Sequence, residues 1–174
     1  MAAIGELTTA DEPATWAKLG FAVDGDGCQV GGVRIALAGR GAGRGLVGWS
    51  LHGVDSIELD GLPTAIADGP PTGAAPAHPN GVTALDHVVA ITPDLERTVA
   101  ALQAAGLDLR RIREQPTPAS APRQAFFRLG AELLEVVQEP ADVVAEHGGP
   151  DRPAFFWGLA FRVEDLDAAV ARLG

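Results

Sequence analysis

Two polar residues stand out because each sits alone in an apolar, strand-like run. His87 lies in Leu85-Asp86-His87-Val88-Val89-Ala90-Ile91, and Glu135 lies in Glu132-Leu133-Leu134-Glu135-Val136-Val137-Gln138. Side chains alternate along a strand, so Leu85, His87, Val89 and Ile91 are expected on one face, and Leu133, Glu135 and Val137 on one face of theirs. If a helix covers the opposite face, both polar groups point to the concave side of one sheet. A buried carboxylate is costly unless it is paired or bound to a metal. With a neutral imidazole it forms a reasonable half-site for Zn²⁺, Mn²⁺, Fe²⁺ or Ni²⁺. The alternative is that the two side chains bond each other or a water. Two protein ligands fall short of the three that a catalytic site usually keeps.

The other reactive types have plainer readings. His52, between Leu51 and Gly53, reads first as a satisfied, partly buried histidine, although it could reach a cavity as a further ligand. His78 among Pro and Ala, and His147 before Gly148-Gly149, read as solvated loop residues. Cys28 follows a tight turn with no basic residue close by in sequence, as a small apolar residue does. Gly39-Arg40-Gly41-Ala42-Gly43-Arg44-Gly45 lacks the Lys-Ser/Thr ending of a phosphate loop and reads as a turn. Arg110, Arg111 and Arg113 would orient an anionic substrate if their strand lines the cavity, and surface exposure is the alternative. Arg111 is the candidate among them, with Phe127, Trp157 and His52 as further cavity residues. For Phe126, Phe127, Phe155, Phe156 and Trp157, core packing is the default.

Elements that could position these groups repeat along the chain. From Asp94 a helical run carries Val99, Ala100 and Leu102; the same offsets from Asp165 give Val170, Ala171 and Leu173, and from Asp11 give Trp16, Ala17 and Leu19. Seven residues before each Asp stand His87, Gly158 and Ile4. A repeat that keeps its apolar skeleton and varies its polar positions implies a duplicated fold with one specialised copy. Ala84 to Pro140 reads as strand, helix (Leu95 to Ala105, capped by Thr92 or Asp94), then three strands: Leu107 to Arg113, Arg123 to Leu129 and Glu132 to Gln138. In the second of these, Leu107, Leu109 and Arg111 are expected on one face, with Asp108, Arg110 and Ile112 on the other. The N-terminal piece follows a shorter plan: strand Ala3 to Thr8, helix Glu12 to Leu19, then strands Phe21 to Val23, Cys28 to Val30 and Val33 to Ala38, with an extra strand in Gly45 to Val54. Aligning Val30-Gly31-Gly32 with Leu129-Gly130-Ala131 puts Ala36 where Glu135 sits.

The expected organisation is a degenerate first module with its extra strand in 1–60, a Pro/Gly-rich linker in 61–82, a well-formed module in 83–140 and the strand-helix start of another in 154–174. Pro116 to Pro122 reads as a further connection. An unfinished last module leaves strand edges to be covered, so either more chain or a homodimer is expected. The net charge of −10 and a pI near 4.7 argue against nucleic-acid binding. No apolar stretch approaches the ~20 residues of a membrane span. A lone cysteine and no signal-like N-terminus fit a cytoplasmic protein.

Leu85-Asp86-His87-Val88-Val89-Ala90-Ile91-Thr92-Pro93-Asp94-Leu95 and Gly130-Ala131-Glu132-Leu133-Leu134-Glu135-Val136-Val137 together resemble the vicinal oxygen chelate superfamily, the glyoxalase, bleomycin-resistance and extradiol-dioxygenase group. Trp157-Gly158-Leu159-Ala160-Phe161-Arg162-Val163-Glu164-Asp165-Leu166 is similar to the start of its next module. The resemblance implies an α+β fold of repeated βαβββ modules whose curved mixed sheets surround a cavity. It also implies a divalent metal held there by a His of a first strand and a Glu of a fourth, the positions His87 and Glu135 match. The paired module would supply the rest. The implied activity is that of a metal-dependent lyase or isomerase, or a dioxygenase, acting on a small molecule with vicinal oxygens. The alternative is a metal-free small-molecule (drug) binding protein of the bleomycin-resistance type. The motifs specify fold better than reaction.

Overall fold

The computed structural model describes residues 1–69, 75–114 and 123–173. The expected connection at Pro116 to Pro122 and part of the 61–82 segment lie outside the described residues. The elements run β1 (Ala3–Thr9), α1 (Pro13–Lys18), β2 (Val23–Asp24), β3 (Gly27–Val30), β4 (Val33–Leu37), β5 (Leu46–His52) and β6 (Thr64–Ile66). They continue with β7 (Val82–Thr92), α2 (Leu95–Ala104), β8 (Asp108–Arg113), β9 (Gln124–Leu129), β10 (Glu132–Gln138), α3 (Ala141–Glu146), β11 (Phe155–Val163) and α4 (Leu166–Leu173).

Local chemistry sets these boundaries. The Asp94 carboxylate caps α2 by accepting from the Arg97 amide at 3.0 Å, and Leu95, Val99 and Leu102 form the apolar stripe that α2 buries. Asp165 does the same for α4, accepting from the Ala168 amide at 3.0 Å. Asp11 is not the cap of α1, which starts after Glu12; its carboxylate accepts from the Trp16 indole instead. Gly130 takes φ +70° at the β9–β10 turn, a backbone that side-chain-bearing residues rarely adopt.

Two mixed sheets result, ordered β2-β3-β4-β1-β5-β6 and β11-β7-β10-β9-β8. In each, the first strand of a βαβββ unit lies parallel to its fourth: β1 on β4, β7 on β10. Each first strand also pairs antiparallel with a later one: β5 on β1, β11 on β7. Aligning the turns Val30-Gly31-Gly32 and Leu129-Gly130-Ala131 matches the two parallel ladders rung by rung. Glu6 faces Arg34 and Thr8 faces Ala36 in the first unit, as His87 faces Leu133 and Val89 faces Glu135 in the second. Ala36 thus occupies the position of Glu135, but Glu6, and not Ile4, occupies that of His87. Ile4 is a core residue. The repeat read from sequence was anchored on the helix starts, and the strand-to-helix connection is two residues shorter in the first unit.

The segment between the units is more than a connection, because β6 adds a strand beside β5. His78 is buried, not solvated: its Nδ1 accepts from the Ala22 amide and its Nε2–H donates to the Gln29 carbonyl, both at 3.0 Å. This imidazole ties the segment before β7 to the first unit and packs edge-on against Phe21. One hydrophobic core joins both sheets, from Ile4, Leu7 and Ile35 through Leu85 and Val88 to Phe127 and Leu134. Where the polypeptide approaches β11, Arg97 grips Asp60 with two hydrogen bonds and donates to the carbonyls of Pro150 and Arg152. That clamp fixes the start of β11 against α2.

Candidate functional site

In the second sheet the core face is the α2 face, carrying Val88, Ala90, Ala125, Phe127, Leu134 and Val136. The open face can be read from the ladders as three rows across β8-β9-β10-β7-β11. The first row is Asp108, Arg128, Leu133, His87 and Ala160; the second is Arg111, Phe126, Glu135, Val89 and Gly158; the third is Arg113, Gln124, Val137, Ile91 and Phe155.

Bulges shape that face, each an extra residue that resets the alternation. On β7 the pairing shifts between Leu85 and His87, leaving Asp86 as the extra residue. Leu85 therefore points into the core, and only His87, Val89 and Ile91 share the open side; the expectation that Leu85 sits with them fails for this reason. On β8 the shift falls between Leu109 and Arg111. Leu109 stays opposite the buried Phe127, and Arg111 turns to the open side opposite Phe126, so the two do not share a face as simple alternation implied. On β11 the extra residue is Trp157, 68% exposed.

His87 and Glu135 meet on this face, with Nε2 and Oε2 3.3 Å apart. The Asp86 carboxylate accepts from His87 Nδ1 at 2.8 Å and from Arg162 Nε at 2.8 Å. Those two bonds, the one from His87 first, hold the Asp86 carboxyl below the usual carboxylate range. On the far side, Gln124 Nε2 donates to Glu135 Oε1 at 2.6 Å. The result is a continuous chain, Arg162–Asp86–His87–Glu135–Gln124. An ionised Asp86 can only accept, so Nδ1 carries a proton and Nε2 is left facing a carboxylate oxygen. A proton or a metal ion between these two atoms satisfies both of them.

The remaining sequence candidates fall elsewhere. Phe127 is fully buried on the core face and lines no cavity with His87; its neighbour Phe126 takes the open side. The choice between the two phenylalanines depends on strand phase, which the Phe-Phe pair does not reveal. His52 lies on the first sheet beside Ala3, with Gly5, Ser50 and Asp68 around a separate polar hollow, so it does not join the pair. Cys28 is buried, and burial pushes its thiol up to about 11. Asp86 and Gln124 were missed. Their signal would have been a polar residue adjacent to, or paired in register with, the two candidates.

Residues 86–174 match the family model described as glyoxalase/bleomycin resistance protein/dioxygenase superfamily, and the chain belongs to that superfamily. It is similar in fold to a xylose isomerase-like TIM barrel/4-hydroxyphenylpyruvate dioxygenase fusion protein, with TM-score 0.63 and 15% identity over 98% of this chain and 38% of that one. It is similar as well to a triple mutant of 4-hydroxymandelate synthase from Streptomyces coelicolor, with TM-score 0.58 and 16% identity over 99% of this chain and 74% of that one. Methylmalonyl-CoA epimerase from Mycobacterium tuberculosis gives TM-score 0.42 and 24% identity over 53% of this chain and 63% of that one. No curated protein matches. The chain thus spans 38% of the length of the fusion protein.

The donor set fits a divalent ion from one side. Two ligands about 2.0 Å from a tetrahedral ion stand roughly 3.3 Å apart, which is the separation of His87 Nε2 and Glu135 Oε2. Asp86 occupies the position of a second-shell carboxylate, behind the other ring nitrogen. Because it faces Nδ1, it does not converge with the other two; among the described residues no three His, Cys, Asp or Glu side chains do. No described helix is long and apolar enough to cross a membrane.

Proposed function

We propose that this protein is a metal-dependent enzyme of the glyoxalase-like type, a lyase or isomerase acting on a small molecule with vicinal oxygens. The observation that carries this reading is His87 Nε2 facing Glu135 Oε2 at 3.3 Å, with the ring held from behind by Asp86. His87 and Glu135 would hold the ion, which as a Lewis acid would polarise two adjacent substrate oxygens and stabilise negative charge between them. Asp86 fixes the tautomer and the ring plane. Gln124 ties up the second Glu135 oxygen, so that one oxygen only is presented beside the imidazole. Further donors would come from the substrate, from solvent or from groups beyond the described residues.

Protein purified without chelators is expected to retain close to one divalent ion per chain by elemental analysis. His87→Ala and Glu135→Gln should each release it, with unchanged far-ultraviolet circular dichroism. A wild-type protein that neither retains nor takes up a divalent ion at micromolar concentration overturns the reading.

A second reading is supported by the same atoms. A proton between His87 and Glu135 satisfies the whole hydrogen-bonded chain without a metal, as suits a binding protein of the bleomycin-resistance type. It predicts ligand-induced thermal stabilisation that survives chelator treatment.

A further inference from the structure

We propose that this site selects a small organic anion, and that Arg111 is the residue that holds the anionic group. The inference rests on the reading of His87 and Glu135 as the other end of the site. Three arginines fall within β8, in a chain whose net charge is −10. Arg110 is accounted for by Asp108, at 3.1 Å. Arg111 has no ion-pair or hydrogen-bond partner among the described residues, and it stands in the same row as Glu135 with only Phe126 between them.

The bulge at Arg110 gives the position its meaning. Without it, strict alternation would carry Arg111 to the face of Leu109, into the core under α2, where an unpaired guanidinium cannot stay. The extra residue lets Leu109 and Ile112 remain on the core side while Arg111 and Arg113 are delivered to the face of His87 and Glu135, Arg111 in the row of Glu135 and Arg113 in the row of Gln124. Strands stand about 4.8 Å apart, so Arg111 and Glu135 are separated by roughly 10 Å at their backbones. A molecule with paired oxygens at one end and a carboxylate at the other spans that gap across the Phe126 ring. A guanidinium fork matches a planar carboxylate with two parallel hydrogen bonds, which an ammonium could not do. The anionic end would also explain why the acidic chain keeps cations on this face.

The test is isothermal titration of the metal-supplemented protein with 3,4-dihydroxybenzoate, with the uncharged catechol and with benzoate. The wild-type protein is expected to bind 3,4-dihydroxybenzoate about tenfold or more tightly than catechol. Arg111→Ala should remove that preference, leave catechol affinity and melting temperature unchanged, and be partly rescued by Arg111→Lys. Arg110→Ala, which removes the same charge from the same strand, should keep the preference. Equal binding of acid and catechol by wild type, a preference that persists in Arg111→Ala, or no binding of any of the three overturns the inference. Failure of the metal reading looks different: 3,4-dihydroxybenzoate and benzoate then bind alike, and both still depend on Arg111.

Discussion

His87 is held at both ring nitrogens, and the two partners do different work. Asp86 sets the tautomer through Nδ1, and Glu135 shares whatever cation lies at Nε2. Removing the Asp86 charge should therefore weaken the metal site without unfolding the protein, because Asp86 is 42% exposed. For Asp86→Asn we expect a loss of about 10- to 100-fold in divalent-metal affinity, measured by competition with a chromophoric chelator, and little change in melting. An affinity equal to wild type would show that the ring needs no such support. Cys28 gives a second residue-scale expectation. With its thiol buried and pushed up to about 11, it should resist alkylation in the native state at pH 8 and react fully in denaturant.

At the scale of elements, position is set by bulges and by one clamp. The Asp60 carboxylate, 9% exposed, receives two bonds from Arg97 and one from Thr98, and Arg97 in turn holds the chain that enters β11. Asp60→Ala would leave a partly buried guanidinium without its carboxylate, while the Thr98 hydroxyl still reaches the Asp94 carbonyl, at a cost of about 3 kcal/mol. Chemical denaturation checks this, and a change below about 1 kcal/mol would mean that water replaces the carboxylate. The strands themselves were legible in the sequence: Glu132 to Gln138 agrees with β10 at both ends, and the strand-helix start expected in 154–174 is β11 followed by α4. Which way their residues point was only partly legible. Alternation holds between bulges and fails across them, and nothing in Leu85-Asp86-His87 or Leu109-Arg110-Arg111 announces an extra residue. The partner strand decides it, by leaving one residue unpaired.

For the whole molecule, the duplicated ladders show one scaffold used twice, with the reactive pair present in the second copy and replaced by Glu6 and Ala36 in the first. The two units are joined by the imidazole of His78, whose burial lowers its proton affinity. A buried neutral histidine takes up a proton more readily in the unfolded chain than in the folded one. Its contribution is therefore present above about pH 6.5 and is lost as pH falls below that value toward the lower folded one. Urea midpoints measured from pH 7.5 to 5 should fall with pH, and His78→Gln should flatten that slope. An unchanged slope would place the acid sensitivity in other groups.

Apolar periodicity and turn signals were enough to establish the α+β class and the repeated βαβββ units, because strands and helices are written in patterns a few residues long, and the superfamily was legible as a resemblance of the motifs around His87 and Glu135. The pairing of His87 with Glu135 was legible too, since both interrupt apolar runs. The tertiary structure alone decided that Asp86 and Gln124 complete the chain of bonds, that Phe126 and not Phe127 faces the site, that His52 belongs to the other sheet, and that Glu6 and not Ile4 is the counterpart of His87. Each of these depends on register between strands distant in sequence, and a shift of one residue in register exchanges the two faces of a sheet.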